Sequence, residues 1–98
     1  MTVVHKLKDL ALFTVVPEAL RAEEKFGRFN SSHEGLGVLL EEFRELEDAI
    51  RANDRQGVVR EATQVASVAL RIVACCDLPE FREHSGMEQL RSRLAESS

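Results

Sequence analysis

Hydrophobic positions in this chain recur at three- and four-residue intervals almost from end to end, and no stretch alternates as a half-buried strand would. Ser31 followed three residues later by Glu34 is a capping box, and it opens a long predicted helix that ends near Asn53. At about 100° per residue, Leu36, Leu39, Phe43, Leu46 and Ile50 fall on one side of that helix and form its expected core stripe. Asp54 caps the next helix, which runs to about Cys76 with Val58, Ala62, Val65, Ala69, Ile72 and Cys76 as its stripe. Upstream, Pro17 suits a first helical position, and the helix it opens reaches about Phe26 before Gly27 and Asn30 stop it. Residues 4 to 15 are ambiguous: Val4, Leu7, Leu10 and Ala11 keep helical spacing, but Val15 and Val16 are β-branched. Downstream, Asp77-Leu78-Pro79 is a stop signal, and Phe81, Met87, Leu90 and Leu94 predict a last helix over about 80–95 with a break point at Gly86.

These elements predict a single all-α domain over 1–98, an antiparallel helical bundle with its core over about 17–76 and short turns between helices. The helix after Asp54 also carries Val59, Ala66, Leu70 and Ala74 on its other side, so it is apolar nearly all round. A chain of 98 residues buries only a modest share of its surface. Completion of the bundle by oligomerisation, as a homodimer or homotetramer, is the expected use of the second apolar face.

Composition narrows the function. The net charge is −4, from 13 basic and 17 acidic residues interspersed along the chain. There is no Lys/Arg block, no Trp and no Tyr, which speaks against a nucleic-acid polymer as partner. The longest apolar run, Val65 to Cys76, is broken by Ser67 and Arg71, so no membrane span is expected. Charges at Lys6, Lys8 and Asp9 interrupt the N-terminal apolar positions, so no signal peptide is read there. Cys75 and Cys76 are adjacent, a spacing without use for zinc or a redox pair, and are expected as two small buried thiols in a reducing cytoplasm.

The carboxylates carry the chemistry. Glu41 to Ile50 holds Glu41, Glu42, Glu45, Glu47 and Asp48. Glu41, Arg44, Asp48 and Arg51 fall opposite the core stripe, as a solvated charged face does. Glu42 and Glu45 instead share a strip with Gly35, Val38 and Ala49, and their i, i+3 spacing turns both toward one point. On the next helix Glu61 falls inside the apolar stripe beside Val65 and Val68, with Gln64 one turn on. A carboxylate in that position must find a base, share a proton or bind a cation, because an uncompensated buried charge costs several kcal/mol. In a hairpin turning at 52–54, Glu45 and Glu61 sit nine residues before and seven after Asp54 and can meet. The spacing alone fits either a metal or acid cluster or an ordinary buried polar network.

Glu42-x-x-Glu45, a 15-residue gap and Glu61-x-x-Gln64 together resemble the ExxE…ExxD signature of the MazG-like all-α nucleoside triphosphate pyrophosphohydrolases. The stretches KFGRFNSSHEGLGVLLEEFRELEDAI and REATQVASVALRIV look like a compact phage and bacterial branch of that superfamily, over roughly residues 24–73. The resemblance implies a cytoplasmic oligomer of helical bundles holding Mg²⁺ or Mn²⁺, with a nucleoside triphosphate cleaved to the monophosphate and pyrophosphate. Glu42, Glu45 and Glu61 match three of the family's four acidic positions, as metal ligands or as the catalytic base. Gln64 stands where the family has Asp, and an amide oxygen ligates a hard cation without bringing charge. A non-catalytic oligomeric helical protein with a weakened nucleotide or cation site is therefore the alternative reading.

Other residues have two readings each. Asn30 and His33, with Ser31 and Ser32, cluster at a helix N-terminus, which suits either a phosphate or simple capping. Lys25 and Arg71 are candidate phosphate contacts or surface charges paired with Glu residues. Phe26 and Phe29 suit stacking on a base or filling a core.

Overall fold

A computed structural model describes residues 2–76 of the chain. Every element in it is helical: α1 (Val3–Leu10), a π-helical stretch (Ala11–Val15), α2 (Val16–Phe26), α3 (Ser32–Arg51) and α4 (Arg55–Cys76). The last helix expected over 80–95 lies outside the described residues.

The ambiguous N-terminal stretch is helix, and Pro17 does not open it. α1, the π-helical stretch and α2 run on without a break, because Leu10, Ala11, Val15 and Val16 all keep right-handed helical dihedrals. Thr2 caps the beginning by accepting from the His5 N–H at 3.2 Å. The wide turn lies just before Pro17, where the Val16 N–H reaches back to the Ala11 carbonyl. Proline offers no N–H to the ladder and its ring crowds the carbonyl four residues back, so a locally wider turn lets the helix pass through it. Gly27 stops the helix, as its sequence position predicts, with φ of 82° that side chains with a Cβ rarely adopt.

α3 and α4 form a hairpin. Ser31 Oγ accepts from the Glu34 N–H at 3.2 Å at the start of α3. The turn over 52–54 holds Asn53 at a φ of 55°, and Asp54 Oδ1 accepts from the Gly57 N–H at 3.0 Å to cap α4. α3 packs along α4, and α2 and the π-helical stretch pack on α4 as well.

The helices meet along faces rotated from the predicted stripes. In α3 the buried position is Gly35, and Val38, Leu39, Glu42, Leu46 and Ala49 are half-buried. Leu36, Phe43 and Ile50, three of the five residues of the expected stripe, are exposed, Phe43 and Ile50 by 54% each. In α4 the buried residues are Gly57, Ser67, Val68 and Arg71, whereas Ala62, Ala69 and Cys76 of the expected stripe are exposed. Small residues decide the difference. A Cβ on Gly35 would stand 2.5 Å from Ile72 Cγ1, so the hairpin closes where backbones approach, and the bulkier stripe is left outside. Val59, Leu70 and Ala74, on the second apolar side of α4, are exposed too. Nor are both cysteines buried: Cys75 is half-buried and Cys76 exposed, both as free thiols. No helix among the described residues is long and apolar enough to cross a membrane.

Candidate metal centre

Two turns of helix and one hairpin register build the centre. Glu42 and Glu45 stand one turn apart on α3, and the three-residue turn brings α4 back so that Glu61 faces them. One carboxylate oxygen from each of the three lies within 4.8 Å of the others. Glu61 is nearly covered, with 15% of its side chain exposed, and accepts from Arg60 Nε at 3.2 Å. Glu45 is exposed and forms the rim.

Glu42, like Glu61, is half-buried. Its Oε2 is buried and has no hydrogen-bond partner among the described residues. Burial, followed by the negative charges of Glu45 and Glu61, pushes its carboxyl up to about 7 from an ordinary 4.5. A proton there would let Glu42 donate to a neighbouring carboxylate, which raises the value further. Glu61 thus has a cation in Arg60, whereas the buried Glu42 oxygen has neither a donor nor a positive charge on it among the described residues. Three oxygen donors from two helices, one of them orphaned and turned away from solvent, suit a hard divalent cation that keeps several of its own waters.

Gln64 is placed differently from the three acids. Its Nε2 donates to Glu18 Oε1 on α2 at 2.9 Å. Glu18 in turn accepts from Arg21 through Nε at 3.1 Å and NH2 at 2.5 Å. These Arg21 bonds, with the Gln64 amide second, hold the Glu18 carboxyl down to about 2, so it is a permanent anion.

Arg71 is paired with a Glu residue, as one of its two readings had it, but it is buried rather than at the surface, and it lines the cleft that Glu42 and Gln64 also line. It is 5% exposed, and its Nε donates to Glu23 at 2.7 Å and its NH2 to the Gly27 carbonyl at 3.1 Å. Its guanidinium also lies 4.2 Å from the centroid of Phe29, which is buried. Arg71 thereby ties the end of α2 to α4. The remaining candidates stay at the surface: Lys25 over the exposed Phe26 ring, Asn30 donating to Glu34 at 2.9 Å, and His33 exposed at the start of α3.

A cleft of about 380 Å³ is walled by Phe26, Phe29, Val38 and Val68, and Glu42, Gln64 and Arg71 also line it. Two contributors to this region escape a reading of the sequence. Glu18 follows Pro17 and reads as an ordinary first-turn acid, and Glu23 belongs to a charged helix surface. Only the packing of α2 on α4 gives them partners at separations of 46 and 48 residues.

No family model matches the chain, and no curated protein or solved structure matches it.

Proposed function

We propose that this chain is a metal-dependent nucleoside triphosphate pyrophosphohydrolase of the MazG-like kind, using Glu42, Glu45 and Glu61. The observation that carries the reading is the convergence of those three carboxylates from two helices, with one buried oxygen left unpartnered. Mg²⁺ or Mn²⁺ held there would neutralise phosphate oxygens and lower the pKa of a bound water. The overall reaction adds one water across the bond between the α- and β-phosphorus and yields a nucleoside monophosphate and pyrophosphate. One of Glu42, Glu45 and Glu61 could serve as the base that takes the water's proton, since ligation and general-base work both need an ionised oxygen. The adjoining cleft is walled by two aromatic rings and two valines, and it suits a nucleobase and its sugar. Lys25, Asn30, His33 and Arg71 are the candidate phosphate contacts, and Arg71 is the one among them that lines the cleft.

The bundle is completed by a second copy of the chain. Support comes from the uncovered row Leu36, Leu40, Phe43 and Ile50 on α3, continued by Val59 on α4. A row of this kind is costly in water and suits a self-complementary interface.

One observation favours the second reading, an oligomeric helical protein that keeps a weakened cation or nucleotide site without catalysis. The fourth position of the acidic pattern holds a neutral amide, and that amide is engaged with Glu18. Two measurements separate the readings: the melting midpoint with and without millimolar Mg²⁺ or Mn²⁺, and pyrophosphate release from a panel of nucleoside triphosphates. Pyrophosphate formed in step with the monophosphate supports the enzyme. A raised midpoint without turnover supports the binder, and neither effect would remove the metal centre altogether.

A further inference from the structure

We propose that α1 is an arm for a second copy of this chain: its stripe Val3, Val4, Leu7 and Leu10 seats in the hollow beside the partner copy's hairpin turn, and the partner's arm seats in return. The inference rests on the oligomeric reading above and deepens it by naming the segment that crosses between copies.

α2 runs parallel to α4, since Glu18 meets Gln64, Glu23 meets Arg71 and Arg28 meets the Ala74 carbonyl. Both helices rise by the same step per residue, so the 46-residue offset of Glu18 and Gln64 puts Asp9 level with Arg55, where α4 begins. Most of α1 therefore stands beyond the end of the hairpin. There it buries none of its residues and packs with the π-helical stretch that continues it. Val3, Val4, Leu7 and Leu10 lie within about 60° of Leu7 round the helix, and all four are exposed, Val3 by 73% and Leu7 by 62%. Lys6 and Lys8 flank this stripe about 100° to either side, with His5 and Asp9 behind it.

The matching surface lies on the hairpin. Ile50, Asn53, Arg55, Val58 and Val59 line a hollow of about 530 Å³ beside the turn. A second hollow of about 330 Å³ shares Ile50 and extends along α3 to Leu46 and Phe43, with Glu47 on its wall. Val59 lies about 140° round α4 from Gln64, which holds α2, so the first hollow opens on a face that the chain's own N-terminal helix does not cover. Charge favours a second copy as occupant. α3 carries six carboxylates against two arginines, and Glu47 is exposed among its apolar row, which suits an arm with a lysine on each flank. The net charge of −4 opposes approach to an anionic lipid surface. One arm alone is a small contact. Exchanged reciprocally, each copy covers both its stripe and its hollow, which brings the area toward the roughly 800 Å² per partner of a standard interface.

The test uses the intact chain, with the dissociation constant from sedimentation equilibrium and far-ultraviolet circular dichroism to check that the fold is kept. Leu7→Glu puts a charge in the middle of the stripe and is expected to raise the constant at least tenfold. His5→Glu puts the same charge on the far side of the same helix and should change it less than twofold. The seat is read by mixing two chains that both carry Cys75→Ser and Cys76→Ser, one with Leu7→Cys and the other with Val59→Cys. A short bis-maleimide is expected to link positions 7 and 59 between chains, and to do so far less when His5→Cys replaces Leu7→Cys. Equal effects of Leu7→Glu and His5→Glu would overturn the inference and leave the oligomeric reading standing. Loss of assembly in Leu7→Glu without the 7–59 link would overturn it too, because the arm would then dock elsewhere. Leu7-dependent sedimentation with phosphatidylcholine–phosphatidylserine vesicles, with assembly unchanged by Leu7→Glu, would assign the arm to a lipid surface instead. A monomeric unaltered chain overturns both readings. If Leu7→Glu does not fold, the cross-link decides alone.

Discussion

Glu42 on α3 and Glu61 on α4 place carboxylate oxygens within 4.8 Å of each other, with an arginine on Glu61 and no donor on the buried Oε2 of Glu42. Without metal, the arrangement opposes folding whenever Glu42 is ionised. Its folded carboxyl lies near 7 against an ordinary 4.5, so the folded state holds that proton more tightly than the unfolded state. The stabilisation from protonation is complete below pH 4.5 and is lost as pH rises through 7. Glu42→Gln mimics the protonated form at every pH. Urea unfolding of the metal-free protein should show the variant more stable at pH 8, on the order of 2 kcal/mol after allowing for water at the rim, and level with the unaltered chain near pH 4.5. Equal stabilities at pH 8 would contradict the burial of Glu42.

The same proton competes with a cation. If Glu42 ligates Mn²⁺ as proposed, binding requires it to be ionised, so the affinity should rise about tenfold between pH 6 and pH 8 and level off above. Calorimetric titration at a series of pH values, in buffers of different ionisation enthalpy, also reports the proton released. Glu42→Gln should bind Mn²⁺ weakly and without that pH dependence. A pH-independent affinity in the unaltered chain would assign the ion to some other place.

Arg71 tests how α2 is held. Its guanidinium is almost fully covered and serves both Glu23 and the Gly27 carbonyl. Arg71→Ala removes both bonds and leaves Glu23 partly buried without its partner, so unfolding should become easier by about 2–3 kcal/mol. Arg71→Lys keeps the charge but not the two-armed geometry, and a loss of about 1 kcal/mol is expected. Denaturant titration of both variants checks the order. Equal stability of the three proteins would deny the tie.

How much of this was legible in the sequence depended on whether a feature was local. The caps at Ser31 and Asp54 and the stop at Gly27 are set by neighbouring backbone, and the structure has each where the residues indicated. The all-α class followed from periodicity for the same reason. The contact faces did not follow. Periodicity finds the most hydrophobic stripe, centred on Phe43, but two helices close along the line that allows nearest approach, and Gly35 against Ile72 fixes that line. The convergence of Glu42, Glu45 and Glu61 was open to reading because the turn at 52–54 sets its register directly. Glu18 against Gln64 and Glu23 against Arg71 were not, since nothing in spacing relates residues on α2 to α4. Pro17 misled for a physical reason: its dihedral suits a helix start, and only the π-helical turn before it reveals that the helix passes through.

The exposed row on α3 makes a prediction about assembly. Phe43 sits at its middle and is 54% exposed. If a second copy covers that face, Phe43→Glu should shift the protein toward the monomer by at least tenfold in dissociation constant, because a charge would be buried without a partner. Sedimentation equilibrium over a concentration series gives the constant. Phe13, 75% exposed on the π-helical stretch, is the comparison: it lies outside the proposed row, and Phe13→Glu should leave assembly unchanged. A monomeric unaltered chain, or equal effects of the two changes, would refute this interface.

Gly35 and Gly37 share α3, and their substitutions should act in opposite directions. In the interior of a helix, alanine is favoured over glycine by up to about 1 kcal/mol when nothing stands in its way. A Cβ at Gly37 meets nothing within 4 Å, so Gly37→Ala should stabilise by roughly that amount. A Cβ at Gly35 meets Ile72 Cγ1 at 2.5 Å and Phe29 Cδ2 at 3.1 Å. Cγ1 lies near the backbone of α4 and cannot swing aside as the end of a long side chain would. Overpacking therefore outweighs the gain in helix propensity, and Gly35→Ala should destabilise by about 1–3 kcal/mol. Ile72→Ala creates a space of its own and costs stability alone, yet it makes room for the new methyl. In the double variant the two losses should fall short of their sum by at least about 1 kcal/mol, read from a double-mutant cycle in urea. Additive losses would mean that α3 and α4 are farther apart at this point, and the acid cluster two turns along would lose the close approach that brings Glu61 to Glu42.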